Sequence, residues 1–509
     1  MRRFLSAFLF FLSAAAPAFS ATVPVWWRSV LSNGDLRLPL ERMQETLAKG
    51  YALIIQKSLV PVTASELAFE SVKSLSTIDQ KIIVHKDGSR VLISADGKIL
   101  KSFSAPADDD AENWARLVLA ATVEARPFSP KARKSDPQDL YNIFFNAALS
   151  RLDPYSHYEH ETTEALAALK NPAGIGIRFR RVGKYLEITD ILPDSPASDS
   201  ILGIGDRIVK INDRLITDLT AVQTLNALRG EADSDIFLTI RKNGREKQID
   251  LVRRPVKSSS VSYYLDESER VLTIKIAAFT PRTVEALKQT LKSHKKADLK
   301  GIIIDLRGNT GGLLKEAVLA ADLFLPEGLP LIKTEGRHKD SVQKYTTTEK
   351  YGRPVYPIVV LVDAKTASCA EFFAGALQDY RHAVLVGTST YGKGTIQTVE
   401  TIPDAGNMYL SWSRYFLPSN YTPDVYGLVP NICTSGKSAE DLQNVPKAVT
   451  SLSQRRTGDE TLQKALRNAC PPQVRTNGEA DDGLALRLIK NPALYERSLT
   501  YFSLDRYMK

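Results

Sequence analysis

Apolar residues change their spacing several times along the chain, and each change marks a different kind of element. In LERMQETLAKGYALIIQKSL (40–59) they recur every three or four positions, which predicts a helix. KIIVHKDGSRVLISADGKILKSF (81–103) reads instead as short strands around two Asp-Gly turns. AENWARLVLAATVEA predicts a second helix, RPFSPKARKSDP a Pro/Lys-rich linker, and DLYNIFFNAALSRLDPYSHYE a helix that stops at Pro154. From Asn171 onward the pattern is one of short alternating strands with turn residues between them. Longer apolar runs follow: RVLTIKIAAF as a strand, TVEALKQTLKSH as an amphipathic helix, then GIIIDLRGNTGGLLKEAVLAADLFL as strand, glycine loop and helix. IVVLVDAKT and Ala383 to Val386 are further buried strands, and this alternation of strands and helices predicts an α/β core. Beyond residue 432 the chain is polar and helix-rich; DDGLALRLIKNPALYE has helical periodicity and is expected to pack back on the body.

The stretch with most chemistry runs from Thr366 to Gln397. Ser368 stands between small residues, directly ahead of the helix-forming CAEFFAGALQDY. Backbone N–H groups and the helix dipole there favour negative charge. Lys393 follows 25 positions later in the loop GTSTYGKG. A serine hydroxyl needs a base to become a nucleophile, and a desolvated neutral lysine can be one. By spacing alone, Ser368 reads equally as a helix cap and Lys393 as a solvated charge. The earlier glycine loop, GNTGGLLKEA, has neither G-x-G-x-x-G nor a lysine followed by Ser or Thr, which argues against phosphate or dinucleotide binding; a tight turn using glycine remains open.

The serine with two small residues, Glu, an apolar pair, A-G-A-L-x-D and then T-Y-G-K-G-x-I-Q resembles the carboxyl-terminal processing (tail-specific) serine proteases almost position by position. The resemblance implies Ser368 as nucleophile, Lys393 as general base, made neutral by burial away from acids under Tyr391 and Ile396, and Gln397 as the residue orienting it. It implies an oxyanion hole from the N–H groups of Gly312 and Cys369, where the family usually has Ala at the second position. Asp305 and Arg307 would brace the loop, and Glu371 the helix start. AGIGIRF, SPASDSILGIGDRIVKIN and TAVQTLNALRG together resemble a PDZ domain. That implies a peptide C-terminus added as a strand, its carboxylate held near Gly174, Ile175, Gly176 and Ile177. The implied fold is multi-domain, with a ClpP/crotonase-like α/β protease core at 257–432 and an inserted PDZ domain at 171–256. A mixed helical region at 21–170 and a helical extension at 433–509 flank them. The β element near residue 90 is not expected from the family's helical N-terminal region.

Composition adds compartment and partners. At 509 residues the chain has room for about three domains. MRRFLSAFLFFLSAAAPAFS reads as a secretory signal with cleavage before Ala21, giving an exported, periplasmic protein, membrane-associated if the signal is retained. Its removal takes Arg2 and Arg3 from a net charge of +9; the remaining excess is dispersed, with no nucleic-acid motif. Export invites disulfides. With Cys369 beside the nucleophile, Cys433 and Cys470 are the natural couple, two separate buried thiols being the alternative. The six histidines form no metal-spaced cluster, and neither metal nor cofactor is implied. Expected partners are protein or peptide substrates entering by a free C-terminus, with room for an activating adaptor and a homo-oligomer. The enzymatic rival, a Ser–His hydrolase, would need His382 and lacks a G-x-S-x-G elbow; the rival of another class is a non-catalytic PDZ adaptor.

Overall fold

The computed structural model describes residues 24–33, 38–160, 173–192, 195–219, 224, 227–228, 230–242, 244–255, 260–295, 298–348, 356–403, 405–437, 459–475 and 479–499. The candidate export signal lies outside the described residues, as does most of the stretch read as the PDZ groove helix. The chain divides into two units, residues 1–160 with 399–410, and residues 161–398 with 411–509.

In the first unit, helices α1 (Val25–Asn33), α2 (Leu40–Lys57), α3 (Ala64–Lys73) and α4 (Leu75–Ile78) precede an antiparallel sheet. Its strands are β1 (Ile82–Asp87), β2 (Arg90–Ala95) and β3 (Lys98–Ser104). Asp96 and Gly97 both take positive φ, 48° and 76°, the conformation that a two-residue hairpin joining right-twisted strands requires. Met43, Leu47, Tyr51 and Ile54 of α2 are buried at helical spacing, beside Trp114 of α5 (Ala111–Ala125) in the same core. The segment 126–137 is structured, not a linker: it forms a 3₁₀ turn and α6 (Pro130–Lys134). Arg126, buried, donates to the carbonyls of Ser135 and Arg133, which satisfies a turn that composition alone marked as loose. Helix α7 (Pro137–Leu149) ends five residues before Pro154, so proline does not stop it; Asp153 then accepts from the N–H groups of Tyr155 and Ser156 and closes a local turn. Strand β4 (His157–Glu159) pairs with Asn407 to Tyr409.

The second unit opens with a β-rich domain. Strands β5 (Ala173–Gly174), β6 (Ile177–Val182), β7 (Tyr185–Ile191), β8 (Arg207–Ile211), β9 (Arg214–Leu215), β10 (Asp235–Lys242), β11 (Arg245–Val252) and β12 (Arg254–Pro255) build it. The main sheet runs β11-β10-β8-β7-β6, which leaves β6 at an edge, and β12 pairs back on β5. Ile175 is buried in this domain's core, and Gly176 turns the chain into β6 at φ 77°.

The α/β core follows: β13 (Val261–Asp266), β14 (Val271–Ile276), α8 (Thr283–Ser293), β15 (Gly301–Asp305), α9 (Leu314–Asp322), β16 (Pro330–Glu335), β17 (Gln343–Thr346), β18 (Ile358–Val362), α10 (Cys369–Asp379), β19 (Val384–Gly387), β20 (Thr395–Ile402), β21 (Gly406–Phe416) and β22 (Ile432–Cys433). Its sheet has the order β13-β14-β15-β18-β19-β22, parallel from β14 onward. A parallel sheet needs cover on both faces, which is why its strands read as unbroken apolar runs. Ile302, Ile304, Val360 and Val362 face a core shared with Phe372 and Phe373 of α10. Ile303, Val359, Leu361, Val384 and Val386 face the opposite way, onto Leu484, Leu488 and Ile489 of α12 (Glu479–Lys490) and Tyr495 of α13 (Pro492–Leu499). The helical periodicity of DDGLALRLIKNPALYE is met by two helices, broken at Asn491 ahead of Pro492. Helix α11 (Glu460–Ala469) precedes them and ends at Cys470, which forms a disulfide with Cys433.

Because α12 seals one face of the sheet, Leu488→Ala, at a position with no solvent exposure, should cost about 2–5 kcal/mol. Urea unfolding checks this, and a loss below about 1 kcal/mol would mean that the helix is not part of the core.

Candidate active site

The site is made of three loops at the carboxyl ends of β15, β18 and β19, where an open α/β sheet presents its crevice. After β15 the chain turns through Asn309, fully buried, whose amide donates to the Ile276 carbonyl at 2.9 Å and accepts from Gly311 N–H at 2.8 Å. Gly311 and Gly312 have φ of 105° and 136°. A side chain on Gly312 would meet the Phe279 carbonyl oxygen at 2.2 Å, so only glycine allows this approach. A Cβ on Gly311 would lie 2.9 Å from the Ser368 Cβ and 3.1 Å from the Cys369 nitrogen, which places the glycine pair against the start of α10.

Between β18 and α10, Asp363 ties the turn together. Its Oδ1 accepts from the N–H groups of Gly308, Lys365 and Thr366 at 2.9, 3.0 and 3.1 Å. Ser368 follows, half-buried, at φ 55° and ψ −122°. That backbone is strained for a residue with a Cβ, at about 1–3 kcal/mol, and persists only where its surroundings dictate it. Here they are the Glu371 carboxylate on its N–H (2.8 Å) and the Tyr415 hydroxyl on its carbonyl (3.1 Å). Cys369 is the first residue of α10, so the helix itself offers its N–H no acceptor. Its thiol donates to the Gly312 carbonyl at 3.2 Å. Burial pushes the thiol up to about 11, the Ser368 hydroxyl and the Lys393 charge pulling the other way, so it stays protonated at neutral pH and unpaired.

After β19 comes the lysine loop. Lys393, half-buried, donates from Nζ to Gln397 Oε1 at 2.9 Å. Tyr391, the residue expected to cover the lysine, is itself 49% exposed, whereas Ile396 packs on the core. Glu371 connects this loop to the Ser368 turn. It is fully buried, and Oε2 accepts from both Ser368 N–H (2.8 Å) and Lys393 N–H (2.9 Å). Oε1 accepts from Gly392 N–H (2.8 Å) and the Thr390 hydroxyl. Burial raises its carboxyl above the ordinary range, and these four donors pull it back. The expectation that Glu371 braces the helix start is thus too small; it joins two loops. The available signal was a lone acid inside CAEFFAGAL, where every neighbour is apolar or small. Asn309 and Thr390 lie inside the motifs GNTGGLLKEA and T-Y-G-K-G without a role of their own being legible there, and Asp363 and Tyr415 carry no local signal, because no periodicity marks a residue that holds a loop. Asp305 and Arg307 pair through bonds of 2.9 and 3.0 Å. Burial works to raise the Asp305 carboxyl, but Arg307 and Lys275 hold it below the usual range.

The sequence model described as Peptidase family S41 matches residues 270–434, and that of the PDZ domain matches residues 173–252. A carboxy-terminal-processing protease of Bartonella bacilliformis is 31% identical over 343 residues, covering 66% of this chain and 78% of the relative. A probable CtpA-like serine protease of Staphylococcus aureus strain N315 is 29% identical over 324 residues, covering 62% of this chain and 64% of the relative. A solved photosystem II D1 C-terminal processing protease is 20% identical with a TM-score of 0.42, over 76% of this chain and 92% of the other. This chain belongs to peptidase family S41: it is a serine-type peptidase of the carboxy-terminal-processing kind, with a PDZ domain.

Glu371→Gln replaces two acceptor oxygens by one and sets an amide N–H₂ against N–H donors. Each donor left unpaired should cost roughly 1–3 kcal/mol, and cleavage should fall about 10²-fold as the loops part. Because the folded chain holds the Glu371 proton more tightly than the unfolded chain, wild-type stability should decline as pH rises above the ordinary Glu range, and the variant should lose that slope. Unfolding curves at several pH values check both; an unchanged slope would show that Glu371 does not titrate differently in the fold.

Proposed function

We propose that this peptidase is an exported endopeptidase that cuts proteins near their C-termini with Ser368 as nucleophile and Lys393 as general base. The observation that carries the reading is the shared Glu371 Oε2, bonded to the N–H groups of both residues. Ser368 attacks the scissile carbonyl while neutral Lys393 accepts its proton, and Lys393 later returns a proton to the leaving amine. The N–H groups of Gly312 and Cys369 stabilise the oxyanion, a contribution of ~3 kcal/mol per donor. Gln397 orients the amine through a neutral amide, which does not hold the proton as a carboxylate would. The core is of the ClpP/crotonase-like type. The PDZ domain takes the substrate C-terminus as a strand beside β6, with the carboxylate at the turn from Gly174 to Ile177; the edge position of β6 supports this. Export is supported by the N-terminal residue pattern and by the disulfide.

Ser368→Ala and Lys393→Ala should each reduce cleavage of an unstructured protein by about 10³-fold or more, read as intact mass over time. Gln397→Ala should lose less, because it transfers no proton. Wild-type activity should rise with pH as the lysine deprotonates; full activity of folded Lys393→Ala would remove the lysine from the mechanism. A substrate with an amidated C-terminus should be processed more slowly than its free acid, and equal rates would assign the PDZ groove another role.

A further inference from the structure

One short segment behind the site reaches both catalytic loops. Arg467, near the end of α11, donates from Nη1 to the carbonyls of Thr390 (2.8 Å) and Tyr426, and from Nη2 to that of Tyr391 (3.3 Å). The carbonyls of Thr390 and Tyr391 lie three and two residues before Lys393, in a loop punctuated by glycine. Three residues on, Cys470 is bonded to Cys433, which pairs with Gly387 at the edge of the core sheet. The chain then meets both loops. Gln473 N–H donates to the Thr388 hydroxyl at 3.1 Å, and its carbonyl accepts from Ala364 N–H at 3.2 Å. Arg475 N–H donates at 3.2 Å to Oδ2 of Asp363, the carboxylate whose other oxygen sets the turn into Ser368.

We propose that residues 467–475 are a positioning element of the peptidase site, with Arg467 placing the lysine loop and the Cys433–Cys470 bridge holding the segment against the core. The proposal rests on the reading of Lys393 as general base. Arg467 touches no substrate and acts through Thr390 and Tyr391. An arginine suits the task because its planar fork engages several carbonyls at once, where a lysine offers a single point. A dithiol reductant would open the bridge by exchange, its own two sulfurs becoming a disulfide as Cys433 and Cys470 become thiols. The helix end would then lose its covalent tie to the sheet.

The test is the rate at which a fluorophosphonate labels Ser368 across pH, together with kcat and KM on an unstructured protein, using the full exported chain. Arg467→Ala should lower kcat and the labelling rate by about 10- to 10²-fold with KM changed less than about twofold. The rising limb of its pH profile should move to higher pH, because a lysine less well held in the site keeps its proton longer. Arg467→Lys should recover part of the loss. Wild type reduced with dithiothreitol, both thiols verified by mass, should show the same defect, and this arm decides if Arg467→Ala does not fold. Wild-type labelling and pH profile in folded Arg467→Ala, or in the fully reduced protein, would overturn the proposal while slow labelling of Lys393→Ala kept the base reading intact. Wild-type labelling of Lys393→Ala would overturn both.

Discussion

The candidate active site depends on one buried carboxyl group. Glu371 has two oxygens and no solvent, and four donors from the serine turn and the lysine loop converge on them. A buried acid is costly unless its lone pairs are used. Here they are used on backbone N–H groups and one hydroxyl, so the cost is offset by satisfying loop amides that no strand or helix serves. The serine turn and the lysine loop are consequently joined through one carboxyl group.

The same solution recurs one turn earlier. Asp363 collects three backbone N–H groups on one oxygen and a fourth, from Arg475, on the other. Loops at the ends of parallel strands have no ladder to complete, and acids placed beneath them stand in for it. The arrangement also separates charge from chemistry. Glu371, which accepts from the Lys393 backbone N–H, is occupied by loop donors, while the Lys393 amine donates to the neutral Gln397. A carboxylate on Nζ would favour its charged form.

The C-terminal segment belongs to this construction. Helices α12 and α13 bury the outer face of the parallel sheet, Tyr495 exchanging hydrogen bonds with both backbone groups of Ile358. The stretch packs back on the body as its periodicity predicts, because a sheet with five parallel strands cannot leave one face wet.

Much was legible in the residues themselves. Apolar runs marked the core strands because burial on both faces removes alternation, and Asp-Gly pairs marked the hairpins because few residues accept positive φ. The serine, lysine and glycine motifs point to the peptidase class by themselves. Other features had no local signature. Helix α7 ends at Leu149 rather than at Pro154, the supposed linker at 126–137 is folded by a buried arginine, and Tyr391 stands exposed beside the lysine. Local sequence determines which conformations a segment prefers and which chemical groups it carries. Which of those groups meet was decided only by the tertiary structure, because Glu371, Asp363 and Arg467 act on backbone atoms, and backbone atoms are the same at every position until the fold brings particular ones within reach.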